Sequence, residues 1–209
     1  MRSLLQARPD HVQPVELAKA YRLMNHGPTV LVSSSHAGRS NVMAAAWSMP
    51  LDFNPPKVCV VIDKSTLTRR LVEASGQFTL AVPSRAAAAA TLAVGRTSGS
   101  DLPIGEDKFE HYGLSFHAGH LGAPLPADCL AWLECEVIDE QHNQQVYDLF
   151  IGEVKHAWAD TRVFRDGHWH AGGESLQSIH YIAGGSFFAA SESFVTEPLK
   201  PCAPFSQSD

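Results

Sequence analysis

The sequence predicts a mainly β protein, a barrel with a few short peripheral helices, formed by one domain over residues 1–209 with its core at about 14–190. Three observations predict it. Short apolar runs recur between turn signals, at spacings suited to a closed β structure. The stretches with helical spacing are all short. No internal repeat and no linker divides the chain, and 209 residues are enough for one sizeable core.

Residues 14–24, PVELAKAYRLM, open on Pro and carry apolar residues at helical spacing before stopping at NHGP. TVLVSSS is a strand, HAGRSN a turn, and VMAAAWSMPL its returning hairpin partner. Asn54, Pro55 and Pro56 break the chain before the apolar strand KVCVVI. A helix at 65–75 ends at Gly76, and QFTLAVPS follows as a strand. SRAAAAATLAVG is a short helix capped by Ser84 and ending at Gly95. The next stretch, to HLGAP, is loop-rich with one short helix near EDKFEHYG. CLAWLECEVIDEQ reads as a strand to Ile138, QQVYDLFIGEVKHAWAD as its partner, and SIHYIAGGSFFAAS precedes a polar tail. Several strands are apolar on both faces, which implies cover from a partner subunit.

Hydrophobic residues at 44% and charged residues at 18% describe an ordinary globular chain. Sixteen basic against 22 acidic residues give a net charge of −6, which argues against a nucleic-acid or anionic-membrane surface. The first residues hold no apolar signal core, and no run of 18 apolar residues follows, so the expectation is a soluble cytoplasmic protein. Cys59, Cys129, Cys135 and Cys202 form no C-x-x-C pair. The histidine clusters at 117/120 and 168/170 sit beside glycines and lack metal-ligand spacing, so no metal is expected.

The stretch from Val58 to Leu71, VCVVIDKSTLTRRL, concentrates chemistry at a strand-to-helix junction. Two readings fit Lys64, Ser65, Thr66 and Thr68. The hydroxyls can cap the helix. Alternatively, free N–H groups, the positive helix end and nearby cations can hold an anion such as a phosphate.

The order of these pieces resembles the flavin reductase-like family of FMN-binding split barrels. A hairpin turn with Gly38 and Asn41 comes first, then the A-x-W strand at Ala45–Trp47 and the Pro55–Pro56 break. The x-S-x-T turn into a helix, here K-S-T-L-T, and the F-x-x-x-x-P strand at Phe78–Pro83 follow. Thr97–Gly99, Asp107–Phe109, LECEV, LFIGEVKHAWAD and HYIAGGSFF match the later landmarks. The resemblance covers about residues 25–188.

What the resemblance implies is a six-stranded Greek-key barrel with FMN at the interface of a homodimer. Ser65, Thr66 and Thr68 would surround the flavin phosphate, with Lys64 or Arg69 as the cation. Ala44, Ala45, Ala46 and Trp47 would lie along the isoalloxazine, small side chains letting a flat ring approach the backbone. Ala81, Val82 and Pro83 would pass beneath the ring or ribityl chain, Ser98 and Gly99 would form a loop near the ring, and Tyr181 would reach a partner's flavin. His156 is the catalytic candidate, a polar group near the nicotinamide. Members of the family commonly carry Thr or Ser where this chain has Ala44, and Asn where it has Ala81.

The function implied is an NAD(P)H-dependent flavin reductase, passing a hydride through flavin N5. No Ser-His-Asp, Cys-His or paired-carboxylate set is present, and no G-x-G-x-x-G turn offers a separate nicotinamide site. Two alternatives stay open: a flavoredoxin-like carrier that exchanges electrons with a redox protein partner, and a flavin-free barrel dimer used as a binding module.

Overall fold

In the computed structural model residues 29–196 are described, and the helix expected at 14–24 lies outside them. Strand β1 (Val30–His36) and strand β2 (Arg39–Ala45) form the first hairpin, turned by Ala37 and Gly38. Val30 pairs with Ala45, so β1 offers no partner beyond that point. The chain then changes neighbour. Strand β3 (Ser48–Phe53) pairs instead with β4 (Pro56–Val61), and the Val61 N–H donates to the Trp47 carbonyl at 3.0 Å. VMAAAWSMPL is therefore two strands, and the main sheet holds seven strands where six were expected.

Helix α1 (Leu67–Ser75) starts at Thr66, whose hydroxyl accepts from the Arg69 N–H, and stops at Gly76 in the left-handed region. Strand β5 (Gln77–Pro83) follows. Ser84 makes no side-chain cap. It is held in a bridge to Ser178, so the chain first forms a 3-10 turn at Arg85–Ala87. Helix α2 (Ala88–Arg96) then ends one residue beyond Gly95. Asp107 caps α3 (Lys108–Tyr112) through bonds from two backbone N–H groups.

The short strands β6 (Phe116–His117) and β7 (Leu125–Pro126) pair with each other. Strand β8 (Cys129–Ile138) is followed by a helix, α4 (Gln141–Tyr147), where QQVYD was expected to be strand. Asp148 ends α4 at φ 54 with its N–H on the Asn143 carbonyl, and only then does β9 (Leu149–Ala159) begin. Two hairpins complete the described chain: β10 (Phe164–Arg165) with β11 (His168–Trp169), and β12 (Ile179–Ala183) with β13 (Ser186–Ala189). The main sheet runs β2-β1-β5-β8-β9-β4-β3, and all its neighbours are antiparallel.

Strand alternation divides the core in two. Val30, Val32, Val60, Phe78, Leu80 and Phe150 belong to one cluster. Leu31, Val42, Ala81, Val94 and Phe109 belong to the second, where α2 and α3 meet the sheet. The two-faced apolarity of β1 and β5 is thus satisfied within one chain. Gly152 fits here for a steric reason: a Cβ at that position would sit 2.5 Å from the Phe78 ring and 2.9 Å from Cys135. No helix among the described residues is long and apolar enough to cross a membrane.

Candidate functional site

Among the described residues strand β2 is an edge of the main sheet, with no strand paired to its second side. A cleft runs along it. One end, about 260 Å³, lies between β2, the start of α1, the loop at 97–99 and Lys108. The other end, about 150 Å³, lies between Ala44–Ala46, helix α2 and the β12–β13 hairpin. Ala44, Gly95 and Arg96 border both ends, so the two adjoin where Gly95 packs against Ala44.

The first end is polar. Thr68 is fully buried and accepts a hydrogen bond from Asn41 Nδ2 at 2.8 Å. Accepting that bond leaves the Thr68 proton free to be donated. Asn41 is 1% exposed, and its Oδ1 has no hydrogen-bond partner among the described residues. A buried acceptor left unpaired costs about 1–3 kcal/mol, so it marks a place for a donor. Lys108 is 2% exposed, and its ammonium donates to the Val94 carbonyl at 2.7 Å. Burial pulls the Lys108 ammonium down to about 8. The N-terminal turn of α1 adds its partial positive charge.

The second end is shaped for something flat. Ala44, Ala45 and Ala46 offer only methyl groups, and Tyr181 and Phe187 face them from the hairpin as an edge-to-face pair at 5.5 Å. Thr91 is 1% exposed with an unpartnered hydroxyl beside this end. Arg96 donates to the Gly184 carbonyl at 3.3 Å and so ties α2 to the hairpin tip.

The cleft thus gathers Ala44, Ala45, Ala46, Ser65, Thr66, Thr68, Ser98, Gly99 and Tyr181 from the residues expected at the site. Their roles differ in part from expectation. Thr66 is the helix cap, and the Ser65 hydroxyl already donates to Asp63 at 2.6 Å. Those bonds from Ser65 hold the Asp63 carboxyl below the usual carboxylate range. Ser98 and Gly99 border the polar end rather than the flat one.

Other expected residues stand apart. Lys64 is exposed and lines neither end. Arg69 is a strut, 2% exposed, with its guanidinium on Glu73, Asp148 and the Ile62 and Gln144 carbonyls. Trp47 is 54% exposed, just past the cleft. Ala81 is fully buried between Leu31 and Trp132, because β5 is an interior strand, and Pro83 is buried too. Val82 borders a different cavity, with Leu130 and Val163. His156 stacks on His120 at 4.7 Å on the β9 face, opposite Glu134 and outside the cleft of its own chain.

Sequence reasoning missed Asn41, Thr91, Arg96 and Lys108. A signal existed for Asn41, a polar residue where a strand turns apolar. For Lys108 the run Asp107–Phe109 gave a cap and a core residue, but nothing local says that the lysine between them is buried.

An edge strand, a helix start and a small-residue wall border this amphipathic cleft in a mainly β fold. Residues 21–175 match the flavin reductase like domain, and the chain belongs to that family. It is 47% identical over 178 residues to the uncharacterized protein YddH of Escherichia coli K12, covering 83% of this chain and 92% of that one. An FMN-binding domain of a flavin reductases-like enzyme from Shewanella baltica OS155 superposes with TM-score 0.77 and 52% identity, over 88% of this chain and 96% of its own. Flavoredoxin of Desulfovibrio vulgaris (Miyazaki F) does so with TM-score 0.70 and 25% identity, over 97% and 99%.

Proposed function

We propose that this protein is an FMN-binding oxidoreductase that takes a hydride from NADH or NADPH, working as a homodimer. The observation that carries the reading is Lys108, a buried lysine at the cleft whose one hydrogen-bond acceptor among the described residues is a backbone carbonyl. A buried cation needs a counter-charge. With the Thr68 hydroxyl and the start of α1, it suits a phosphate monoester. Asn41 Oδ1 and the Thr91 hydroxyl are unsatisfied groups that a polyhydroxylated chain and a heterocycle would fill. Bound FMN supplies the hydride chemistry at its N5. The protein residues bind and orient: Lys108 and Thr68 fix the phosphate, and Ala44–Ala46 allow the ring to approach the free side of β2.

The homodimer reading rests on β3. Trp47, which precedes β3, and Met49, Leu51 and Phe53 within it are 54%, 57%, 47% and 91% exposed, and a bulge after Pro50 turns Phe53 away from the side of Trp47 and Met49. Such an exposed apolar edge favours burial against a second copy. The similarity to a flavoredoxin supports a second reading, an FMN carrier that passes electrons to a redox protein.

One experiment separates the readings. The protein is mixed with FMN, and absorbance is followed at the flavin bands and at 340 nm after NADH or NADPH is added. Flavin binding with catalytic loss of nicotinamide absorbance supports the reductase. Bound flavin without nicotinamide oxidation selects the carrier. Failure to bind FMN sinks both.

A further inference from the structure

We propose that Arg39 and Arg70 determine which flavin the site accepts, by fastening the loop at 97–101 across the outer end of the phosphate pocket so that a terminal phosphate fits and a phosphate esterified to a second nucleotide does not. The inference rests on the flavin reading of the cleft. Neither arginine lines the cleft, so both act through the loop as positioning residues.

Arg39 opens β2, and its guanidinium donates to the Gly99 carbonyl at 3.3 Å. Arg70 projects from α1 and donates to the Ser100 hydroxyl at 2.6 Å. The two side chains come from the two elements that flank the polar end, and they meet on adjacent residues of one loop. The loop is also braced internally: the Ser100 N–H donates to the Ser98 hydroxyl, and the Asp101 N–H donates to the Ser98 carbonyl. Thr97 and Tyr112 share a hydroxyl hydrogen bond that ties its root to α3.

Gly99 shows how close the loop lies to the pocket floor. A Cβ there would stand 2.4 Å from Asn41 Oδ1 and 2.9 Å from Leu67 Cδ2. Only glycine permits that approach, and it brings the loop backbone against the same asparagine that holds Thr68. A monoester phosphate between Thr68, Lys108 and this loop needs no exit. A phosphate carrying a second nucleotide needs an opening past the loop, and the Arg70–Ser100 bond holds the loop to α1 beside the pocket. Two arginines tethering one loop are more than a turn needs for its own folding.

The test is a set of fluorescence-quenching titrations with riboflavin, FMN and FAD on the full chain. It compares wild type, the double variant Arg39→Ala/Arg70→Ala and the double variant Arg39→Lys/Arg70→Lys, with a melting curve for each. Wild type is expected to prefer FMN over FAD. The alanine pair is expected to reduce that preference at least tenfold and leave riboflavin affinity within twofold. The lysine pair, which keeps a donor at each position, is expected to recover most of the preference. Loss of the two charges weakens both phosphorylated flavins alike, so the FMN-to-FAD ratio reports the loop and not the field. An unchanged ratio in the alanine pair overturns the proposal while FMN binding stands. A wild type that binds no flavin overturns the flavin reading, and this proposal with it.

Discussion

Asn41 Nδ2 donates to Thr68 Oγ1 across 2.8 Å, joining the edge strand β2 to the first turn of α1 inside the cleft. The bond fixes both polar groups. Thr68 must then direct its own proton elsewhere, and Asn41 must present Oδ1. The expected outcome of Thr68→Val is a loss of FMN affinity of about 1.5–3 kcal/mol, the value of a hydrogen bond to a charged group, with riboflavin far less affected. Ser65→Ala should do less than Thr68→Val, because Ser65 is engaged with Asp63. Equal losses for FMN and riboflavin would show that Thr68 holds the strand to the helix and nothing more.

Lys108 gives FMN affinity a pH dependence. Its folded-state value of about 8 lies below the ordinary 10.5, so the folded chain binds fewer protons than the unfolded chain between those values. For the empty protein, this group's contribution to stability therefore rises as pH climbs through 8 to 10.5. Phosphate binding runs the other way, since it needs the charged form. FMN affinity is expected to be flat near pH 7 and to fall by up to about tenfold per unit above pH 8. Riboflavin should show no such slope, and Lys108→Met should abolish it. A slope that survives in that variant assigns the titration to another group.

Arg69 is expected to matter for stability and not directly for the flavin. It joins α1 to the end of α4 through Asp148 and the Gln144 carbonyl and to the end of β4 through the Ile62 carbonyl, pairs with Glu73 on its own helix, and lies over the Phe150 ring at 4.6 Å. Arg69→Met should lower the unfolding free energy by about 2–4 kcal/mol, somewhat under the cost of breaking a fully buried pair because Glu73 keeps 41% exposure. Urea unfolding measures this. A loss below about 0.5 kcal/mol, typical of a surface site, would refute the strut.

Gly152→Ala is a steric prediction. The new methyl would overlap Phe78 and Cys135 in the barrel core, which cannot yield as a flexible surface chain can. A cost of about 1–3 kcal/mol is expected, read as a lower melting temperature. An unchanged melting curve would mean that the Phe78 ring moves freely.

The exposed β3 edge predicts the assembly. Sedimentation of the wild type should give twice the 22.7 kDa chain mass at micromolar concentration. Met49→Lys with Phe53→Lys places two charges along that exposed edge strand, one on either side of its bulge, and should shift the protein toward monomer, with circular dichroism unchanged. A wild-type monomer that still binds FMN would sink the dimer reading.

The sequence by itself determined the local and periodic features. The turn at Ala37–Gly38, the stop at Gly76, the strands at 30–36 and 77–83 and the hydroxyl-rich helix start follow from backbone preference and alternation. The order of motifs brought the small-residue strand, the Ser65–Thr68 turn, Ser98–Gly99 and Tyr181 to one site, and the cleft contains them all. Tertiary structure decided the rest. Whether VMAAAWSMPL is one strand or two depends on which neighbour each half finds, and β1 ends where Ala45 does. Asp148 makes QQVYD a helix by ending it in the left-handed region, which no periodicity in that stretch announces. Of two cationic candidates at the phosphate turn, one is exposed and the other is spent on Glu73 and Asp148. The cations that line the cleft are Arg96 and the buried Lys108, both later in the chain. Burial of a lysine depends on what folds over it, and that is set by α2 and the 97–101 loop, not by the residues beside it.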